Sequence, residues 1–483
     1  MLYRPPQGRM KDSVTFYDDG RFYMFSMYSA DASGDDYCRV WLAESEDGVH
    51  YSDVGAVICA PFKIWAMGIA RIGGKYLLNH GTFAEDGSQS VIRFWESDNL
   101  KDWQCRLDLD LRPDPRWFAP NSRLDCMDIV QSEEDGKTVY YGFATGPSGF
   151  WKSTDGHHWE SLGPVDLDWS PYIKPLSCAL GDFEVGGCRR IGKKWYLVGG
   201  CFNFLGMNGY GTCTLQGDSP QGPFRPDGPR FRLYGGSGRW VSFWSRFCNT
   251  PNGLLVSNSY IYTGHSYEQG ETWLPPLKRA LTTDDGHLYL AYWEGNDRAK
   301  AQPLAPCPDA LLQSPPMNVF TKPALESSMA IQIIETAFDP TCGMMLEGVF
   351  QIDVESWTDA APGAGFYLEE TPTSGTAIIL MTSGVSLIGN LKMENGQPTR
   401  FVCENEIPPF SASAVGAEAN RPMHFRLMAR HGMFELYLDN RHAATFNTAH
   451  TPDAALPFSG RFGWLAIGGK ARFNQIKAWT MNL

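Results

Sequence analysis

With 483 residues, 43% of them apolar, the chain is long enough for two or three domains and too apolar to be disordered. Its 41 basic and 54 acidic residues leave a net charge of −13, which repels phosphate backbones and argues against nucleic acid as a partner. The chain opens without an apolar stretch of signal-peptide length, and no apolar run is long enough to cross a membrane. We therefore expect a soluble, cytoplasmic protein without a membrane partner.

The twelve cysteines are scattered along the chain, without C-x-x-C pairs or short Cys/His spacings. Such a distribution predicts buried free thiols in place of a structural zinc site. No motif in the sequence calls for a metal or another cofactor, so none is expected.

A hairpin unit recurs five times in the first 300 residues and reads as an apolar strand, a glycine turn and an aromatic-rich strand. Asp-Gly and Asn-Gly at several of these turns favour two-residue hairpins, because type I′ turns need positive φ. A further strand and a polar turn follow in the first three units, as in "WLAESEDGVHYSD" and "FWKSTDGHHWES". The repeating unit is marked by the turn glycines Gly20, Gly74, Gly136, Gly192 and Gly253.

Three or four strands per unit, repeated five times without helical periodicity, predict an all-β fold with a five-bladed β-propeller at residues 1–305. Two stacked sandwiches are the alternative for evenly spaced short strands. Residues 306–322 are proline-rich and predict a linker, and the alternating segments of 323–483 predict an antiparallel β-sandwich.

Three acidic residues share one position relative to the turn glycines. Asp12, Asp128 and Glu184 each lie eight residues before the glycine of their unit, where the other two units have Ala66 and Ser245. If the units superpose, the first strand of each hairpin is innermost, and the three carboxylates converge on the axis. Each acid alone has a structural alternative, such as a turn residue or a salt-bridge partner.

Carboxylates that converge in a funnel suit glycoside hydrolysis. One carboxyl group protonates the leaving oxygen, while another attacks the anomeric carbon or activates water. A third carboxylate that stays ionised can hold substrate hydroxyls and raise the pKa of the acid. The high aromatic content, 13% of residues, fits a concave site that stacks sugar faces.

At these residues the chain resembles glycoside hydrolase family 32, which contains invertases, levanases and inulinases, and more loosely families 43, 62 and 68. The segments on which this resemblance rests are "RMKDSVTFYDDGRFYMFSMY", "CMDIV", "FEVGG" and "WLPPLKRALTTDDGHLYL". The resemblance implies that Asp12 is the nucleophile of a fructosyl-enzyme intermediate, Asp128 stabilises the transition state and Glu184 is the acid/base. Of the three motifs only the acids are kept, and Met127 stands where the family has an arginine.

Five further residues are candidates for contacts with a sugar, although each has a structural alternative in the propeller core. Two arginines are candidates for the role of the family's missing arginine. The candidate substrate-binding residues are Trp65, His80, Arg123, Trp244 and Arg246.

The first functional hypothesis is a retaining glycosidase that acts on a β-fructofuranoside-like furanoside or a short oligosaccharide. The alternatives are an inverting arabinofuranosidase- or xylosidase-like hydrolase, a non-catalytic carbohydrate-binding propeller and, from turns such as "STDGHHW", a sialidase. The sandwich is interpreted as a packing partner of the propeller or as a contact in a homo-oligomer.

Overall fold

The structure is a computed structural model of the chain. It describes residues 1–31, 37–84, 87, 90–120, 122–145, 148–170, 183–202, 210–228, 230–234, 237–238, 242–261, 272–315, 325–334, 336–354, 362–407, 416–447 and 458–483. Among these residues, no helix is long and apolar enough to cross a membrane. Ten of the twelve cysteines are free thiols in the structure, and five of these ten are buried.

The first three repeats each form a four-stranded antiparallel sheet in chain order. Repeat one has β1 Arg9–Asp18, β2 Arg21–Ser29, β3 Arg39–Ser45 and β4 Ser52–Cys59. Repeat two has β5 Trp65–Ile72, β6 Lys75–Phe83, β7 Ser90–Ser97 and β8 Gln104–Leu111. Repeat three has β9 Met127–Glu134, β10 Lys137–Ala144, β11 Gly149–Ser153 and β12 Glu160–Pro164.

Repeats four and five keep the leading hairpin and shorten the outer strands. Repeat four has β13 Glu184–Ile191, β14 Lys194–Phe202, β15 Tyr210–Gly217, β16 Arg225–Pro226 and β17 Arg232–Tyr234. After β18 Ser237–Gly238, repeat five has β19 Ser242–Thr250, β20 Gly253–Ile261, β21 Thr272–Trp273, β22 Lys278–Thr282 and β23 Leu288–Tyr292.

The hairpin turns follow the predicted chemistry. Both turn residues of repeat one have positive φ, 45° at Asp19 and 80° at Gly20, and Asp135 and Gly136 of repeat three repeat this geometry. Asp and Gly tolerate this conformation, which matches the twist of the strands on either side.

The leading strands of the five repeats contact one another in a closed ring, in the order β1, β5, β9, β13, β19 and back to β1. We call the end where these strands begin the loop end of the ring, and the end with the hairpin turns the turn end. Large apolar side chains fill the space between neighbouring sheets, as Phe25, Leu42, Ile64 and Leu78 do between repeats one and two. Their burial is the main stabilising contribution.

The C-terminal part is a sandwich of two antiparallel sheets around one apolar core, in which Trp464 stacks on Phe473 at 4.7 Å. Its remaining strands are β24 Lys300–Pro303, β25 Ala310–Gln313, β26 Met329–Ile334, β27 Met344–Asp353, β28 Gly363–Thr371, β29 Ser374–Met381, β30 Ser386–Glu394, β31 Gln397–Ile407, β32 Met423–Arg430, β33 Met433–Leu438, β34 Arg441–Asn447, β35 Phe462–Ile467 and β36 Lys470–Met481. Two 3₁₀ helices occupy Glu294–Ala299 and Leu325–Ser328.

The two parts are joined by backbone pairing. One sandwich sheet runs β18-β31-β30-β29-β28-β35-β26, and the other continues the sheet of repeat five through β34, β33, β32, β27 and β36. The segment predicted as a linker contains β25, which pairs with β36. Residues 316–322 of that segment lie outside the described part of the chain.

Candidate active site

The leading strands of repeats one, two and five carry a β-bulge near the loop end. In each, two residues of the leading strand oppose one residue of its partner, and the first has positive φ, between 42° and 57°. A non-glycine residue in this conformation costs about 1–3 kcal/mol and is concentrated at functional sites. The bulge pairs are Asp12 and Ser13, Ala66 and Met67, and Trp244 and Ser245.

The three predicted acids do not occupy equivalent positions. In repeat three, β9 pairs with β10 without interruption, so Asp128 lacks the bulge that turns Asp12. In repeat four the hairpin turns on Gly192 and Lys193, which places Val185 and not Glu184 level with Asp12. The prediction of one shared register is therefore wrong for two reasons. Repeat three lacks the bulge, and in repeat four the glycine is the first turn residue instead of the second, which shifts the count by one.

The structure places Asp128 in an ion pair between repeats three and four. Its Oδ2 accepts hydrogen bonds from Nη1 of Arg189 at 2.5 Å and from the backbone nitrogen of Cys188 at 3.0 Å. Arg189 also donates to Oδ1 of Asn249 at 3.2 Å. This group lines a cavity of about 180 Å³ that is formed by the leading strands on the turn-end side of the bulges. These contacts favour the structural alternative for Asp128, a salt-bridge partner between two sheets.

A different carboxylate, Asp125, lies beside Glu184. Nε of Arg123 donates to Oδ1 of Asp125 at 2.7 Å, and its Nη2 contacts Oδ2 of Asp125 and, at 3.2 Å, Oε1 of Glu184. Asp125 is 1% exposed, and burial raises its pKa while Arg123 opposes the rise. Glu184 is partly buried, with 15% of its side chain exposed. One guanidinium thus joins two carboxylates at the loop end.

A second arginine, Arg246, lies behind this pair and is 2% exposed. Its Nη1 donates to the carbonyl oxygen of Gly186 at 2.6 Å, and its Nη2 donates to the thiol of Cys126. It therefore ties the residue after Asp125 to the strand that begins with Glu184. The guanidinium carbon lies 4.2 Å from the centre of the Trp244 ring.

Asp12 belongs to the same cluster. It is 7% exposed, and its charge acts on Cys126. Burial, first of all, raises the pKa of the Cys126 thiol to about 12; Arg246 opposes the rise, while Asp125 and Asp12 add to it. Asp12 and Asp125 thus both act on Cys126, while Arg123 joins Asp125 to Glu184.

Two buried donors in this cluster are available to a ligand. Among the described residues, neither Nε of Arg246 nor the indole nitrogen of Trp244 has a hydrogen-bond acceptor, and both atoms are buried. Buried donors are nearly always satisfied in native proteins. Oxygen atoms of a bound molecule would satisfy both.

Trp65 lies at the mouth of the ring, half-buried at the start of β5. Its ring meets Phe83 edge-on at 4.8 Å, and Phe83 is 52% exposed although it is a large apolar residue. The two rings form an aromatic surface at the loop end that suits the flat face of a sugar.

His80 has a different environment from the other candidates. It is fully buried, its Nε2 accepts a hydrogen bond from the indole of Trp95 at 2.9 Å, and its Nδ1 lies 3.0 Å from the carbonyl oxygen of Gly81. Burial lowers its pKa to about 4. His80 is a core residue of repeat two whose two ring nitrogens both have partners, which favours the structural alternative over a contact with a sugar.

Sequence reasoning missed Asp125 and Cys126. Asp125 lies eleven residues before Gly136, so counting eight residues back from the turn selected Asp128. The spacing of Arg123 and Asp125 in "RLD" was the available signal, since an arginine two residues from an acid can hold it bidentately.

Comparison with known proteins identifies the class of fold. The chain has the fold of glycoside hydrolase family 32 enzymes. It aligns with solved structures of this fold over nearly its whole length. A scan of protein-family models and a search of curated proteins return no match.

Three solved structures illustrate the similarity. The chain is 11% identical to the exo-inulinase of Aspergillus awamori, with a TM-score of 0.70 over 100% of this chain and 97% of that one. It is 12% identical to the family 32 β-fructofuranosidase of Bombyx mori, with a TM-score of 0.66 over 99% of this chain and 92% of that one. It is 14% identical to the sucrose-6-phosphate hydrolase of Lactobacillus gasseri, with a TM-score of 0.65 over 98% of this chain and 91% of that one. At these identities the comparison establishes the fold.

Proposed function

We propose that this protein is a glycoside hydrolase that cleaves a β-fructofuranoside-like furanoside at the loop end of a five-bladed propeller. The main support is the arrangement in which Arg123 joins Asp125 and Glu184 next to Asp12. The fold adds support, because solved proteins that share it include a β-fructofuranosidase and an exo-inulinase.

Each acid has a role in this proposal. Glu184, partly exposed at the site, protonates the leaving oxygen, and Asp12 attacks the anomeric carbon to form a glycosyl-enzyme ester. Water then attacks that carbon while Glu184 takes its proton, which regenerates both carboxyl groups and retains the configuration. Asp125, held by Arg123, supplies the stabilising carboxylate that the family resemblance assigned to Asp128.

The remaining groups bind the sugar. The free Nε of Arg246 and the indole nitrogen of Trp244 donate to its oxygen atoms, and the arginine fork also keeps the strands of Asp125 and Glu184 together. Trp65 and Phe83 contact an apolar sugar face at the mouth.

The experiment compares wild type with Glu184→Gln on sucrose, short fructans and nitrophenyl arabinofuranoside and xyloside. We expect wild type to cleave a fructoside and Glu184→Gln to lose about 10²–10⁴-fold in kcat, the usual contribution of a general acid. Glu133→Gln changes an exposed glutamate of repeat three and is the matched control, with unchanged kcat. Cleavage of arabinoside or xyloside only, or no turnover by folded wild type, would reject the fructosidase proposal.

The stereochemical course is tested separately. When hydrolysis runs in dilute methanol, a retaining enzyme forms the methyl glycoside with the configuration of the substrate. A product of opposite configuration would support the inverting alternative.

A further inference from the structure

A fully buried ion pair lies where repeat five meets the sandwich. Nζ of Lys278, on β22, contacts Oε1 of Glu435, on β33, and the two residues are 1% and 0% exposed. Burying two charges costs several kcal/mol each unless their partners are well placed. The pair therefore carries a large desolvation free energy, which simple packing of repeat five against the sandwich would not require.

Both members of the pair have further partners. Besides Glu435, the ammonium of Lys278 donates to the carbonyl oxygen of Pro276 at 2.9 Å and to Oδ1 of Asn258 at 3.2 Å, which uses its three donors. On the sandwich side, Oε2 of Glu435 accepts from the hydroxyl of Tyr437 at 2.7 Å. The position of the ammonium is thus set from both domains.

Asn258 extends this network to the candidate active site. Its Nδ2 donates to Oγ of Ser242 at 2.6 Å, and on β20 it lies opposite the bulge of Trp244 and Ser245. Its carbonyl oxygen accepts from Oγ of Ser13, the residue after Asp12, at 3.5 Å. The backbone nitrogen of Ser13 in turn donates to Oγ of Ser259 at 3.2 Å.

Asn258 and its neighbour Ser259 therefore lie between two of the strained bulges. Positive φ at Asp12 and Trp244 persists only where surrounding contacts determine the backbone. The ammonium of Lys278 can only donate hydrogen bonds, so the side-chain oxygen Oδ1 of Asn258 must face it. That orientation directs the amide nitrogen Nδ2 of Asn258 to Ser242. A displacement of Lys278 would be transmitted to the strand that supports both bulges.

We propose that Glu435, Lys278 and Asn258 form a positioning relay through which the sandwich holds the bulges of Asp12 and Trp244 in the geometry needed for catalysis. None of the three contacts the substrate, so they are positioning residues. The activity readout rests on the proposed function. The sandwich thereby takes part in the reaction, beyond its role as a packing partner.

The main variant replaces the pair by apolar residues, Lys278→Met with Glu435→Leu. Such replacements leave no lone buried charge and are often neutral for stability. We expect kcat to fall at least about tenfold while KM stays within about threefold, because small misplacements of a nucleophile act on the chemical step. Asn258→Leu keeps the ion pair and the backbone contact with Ser13 and removes only the amide that joins Lys278 to Ser242. It should show the same split even if the double variant fails to fold.

The control is Arg441→Met. The guanidinium carbon of Arg441, on β34, lies 4.4 Å from the centre of the Tyr289 ring, on β23, across the same interface, and this contact involves none of the three relay residues. We expect its kcat to match wild type. If the control loses as much kcat as the double variant, general loosening of the interface explains the loss, and the proposal of a relay is overturned.

Hydrogen exchange gives a readout that needs no activity. Faster exchange confined to Arg9–Asp18 and Ser242–Thr250 in the double variant and in Asn258→Leu supports the relay. Unchanged exchange with unchanged kcat, or faster exchange throughout the chain, overturns it. If wild type cleaves no sugar, the proposed function fails, and exchange alone decides the relay.

Discussion

Both ends of the ring interior hold a carboxylate paired with an arginine, and the two pairs differ in what else the arginine contacts. On the turn-end side, Arg189 divides its donors between Asp128, Asn249 and its own neighbouring carbonyl. At the loop end, Arg123 bridges Asp125 to a second carboxylate, Glu184, and is more than half exposed. The first pair joins two sheets, whereas the second presents charge to the mouth.

The comparison shows that an inward-facing acid is not sufficient evidence for a reactive one. The sequence predicts Asp128 as a catalytic residue, yet its oxygens accept hydrogen bonds from Arg189 and from the Cys188 amide. The loop end is distinguished by a shared arginine and by donors without acceptors on Arg246 and Trp244. A bound sugar would supply oxygen acceptors for these two donors.

The largest difference is expected between two matched substitutions. Asp125→Asn should lower kcat/KM by about 10²–10³-fold, as removal of one preorganised electrostatic group does. Asp128→Asn should leave kcat/KM within about threefold and lower the free energy of unfolding by up to about 3 kcal/mol, because Arg189 loses a buried charge partner. Steady-state kinetics and urea unfolding test this prediction. An equal loss of kcat/KM in both variants would contradict the assignment of the reaction to the loop end.

The second prediction concerns His80, which lies opposite the bulge of repeat two. The folded protein keeps its imidazole neutral down to a pKa of about 4, whereas the unfolded chain protonates it near 6.5. Stability should therefore fall as pH drops from about 6.5 to 4, by about 3 kcal/mol from this residue. Because glutamine cannot take up the proton, the free energy of unfolding of His80→Gln should fall less steeply as the pH is lowered from about 6.5 to 4. Equal pH dependence in His80→Gln and wild type would place His80 outside the core.

A smaller effect is expected for Arg246→Lys. Lysine cannot hold the Gly186 carbonyl and the Cys126 thiol at once and lacks the planar fork. We expect kcat/KM to fall by about tenfold to thirtyfold, or about 1.4–2 kcal/mol. Arg189→Lys makes the same change on the turn-end side and should leave kcat/KM unaltered; a comparable loss there would count against the assignment of the loop end.

The smallest effect is expected at the mouth. Phe83→Ala removes the exposed half of the aromatic surface and should raise KM for a trisaccharide by about threefold, equivalent to about 0.6 kcal/mol, with less change for a disaccharide. Trp117→Ala is the control, because Trp117 is 53% exposed but packs over Gly163 of repeat three. Equal changes in KM for both variants would remove the mouth from the substrate path.

Much of the fold was predictable from the sequence, including the hairpins, their order and the change to a sandwich. The hairpins were predictable because the turn chemistry of pairs such as Asp19 and Gly20 is local and because apolar alternation marks each strand. The segment predicted as a linker shows the limit of local signals: its proline content indicated an irregular segment, yet Ala310–Gln313 pairs with β36. Edge pairing depends on a strand 160 residues further along the chain, which no local signal reveals.

Within the candidate site, the sequence by itself determined which residues were available: the acids Asp12 and Glu184, and Trp65, Arg123 and Arg246 as candidate contacts. Only the tertiary structure decided that Asp125 joins them while Asp128 is held by Arg189. The physical reason is the two-residue period of a strand, in which a bulge or a turn shifted by one residue sends a side chain to the opposite face. Such shifts are set by contacts with neighbouring strands, so counting along one chain cannot detect them.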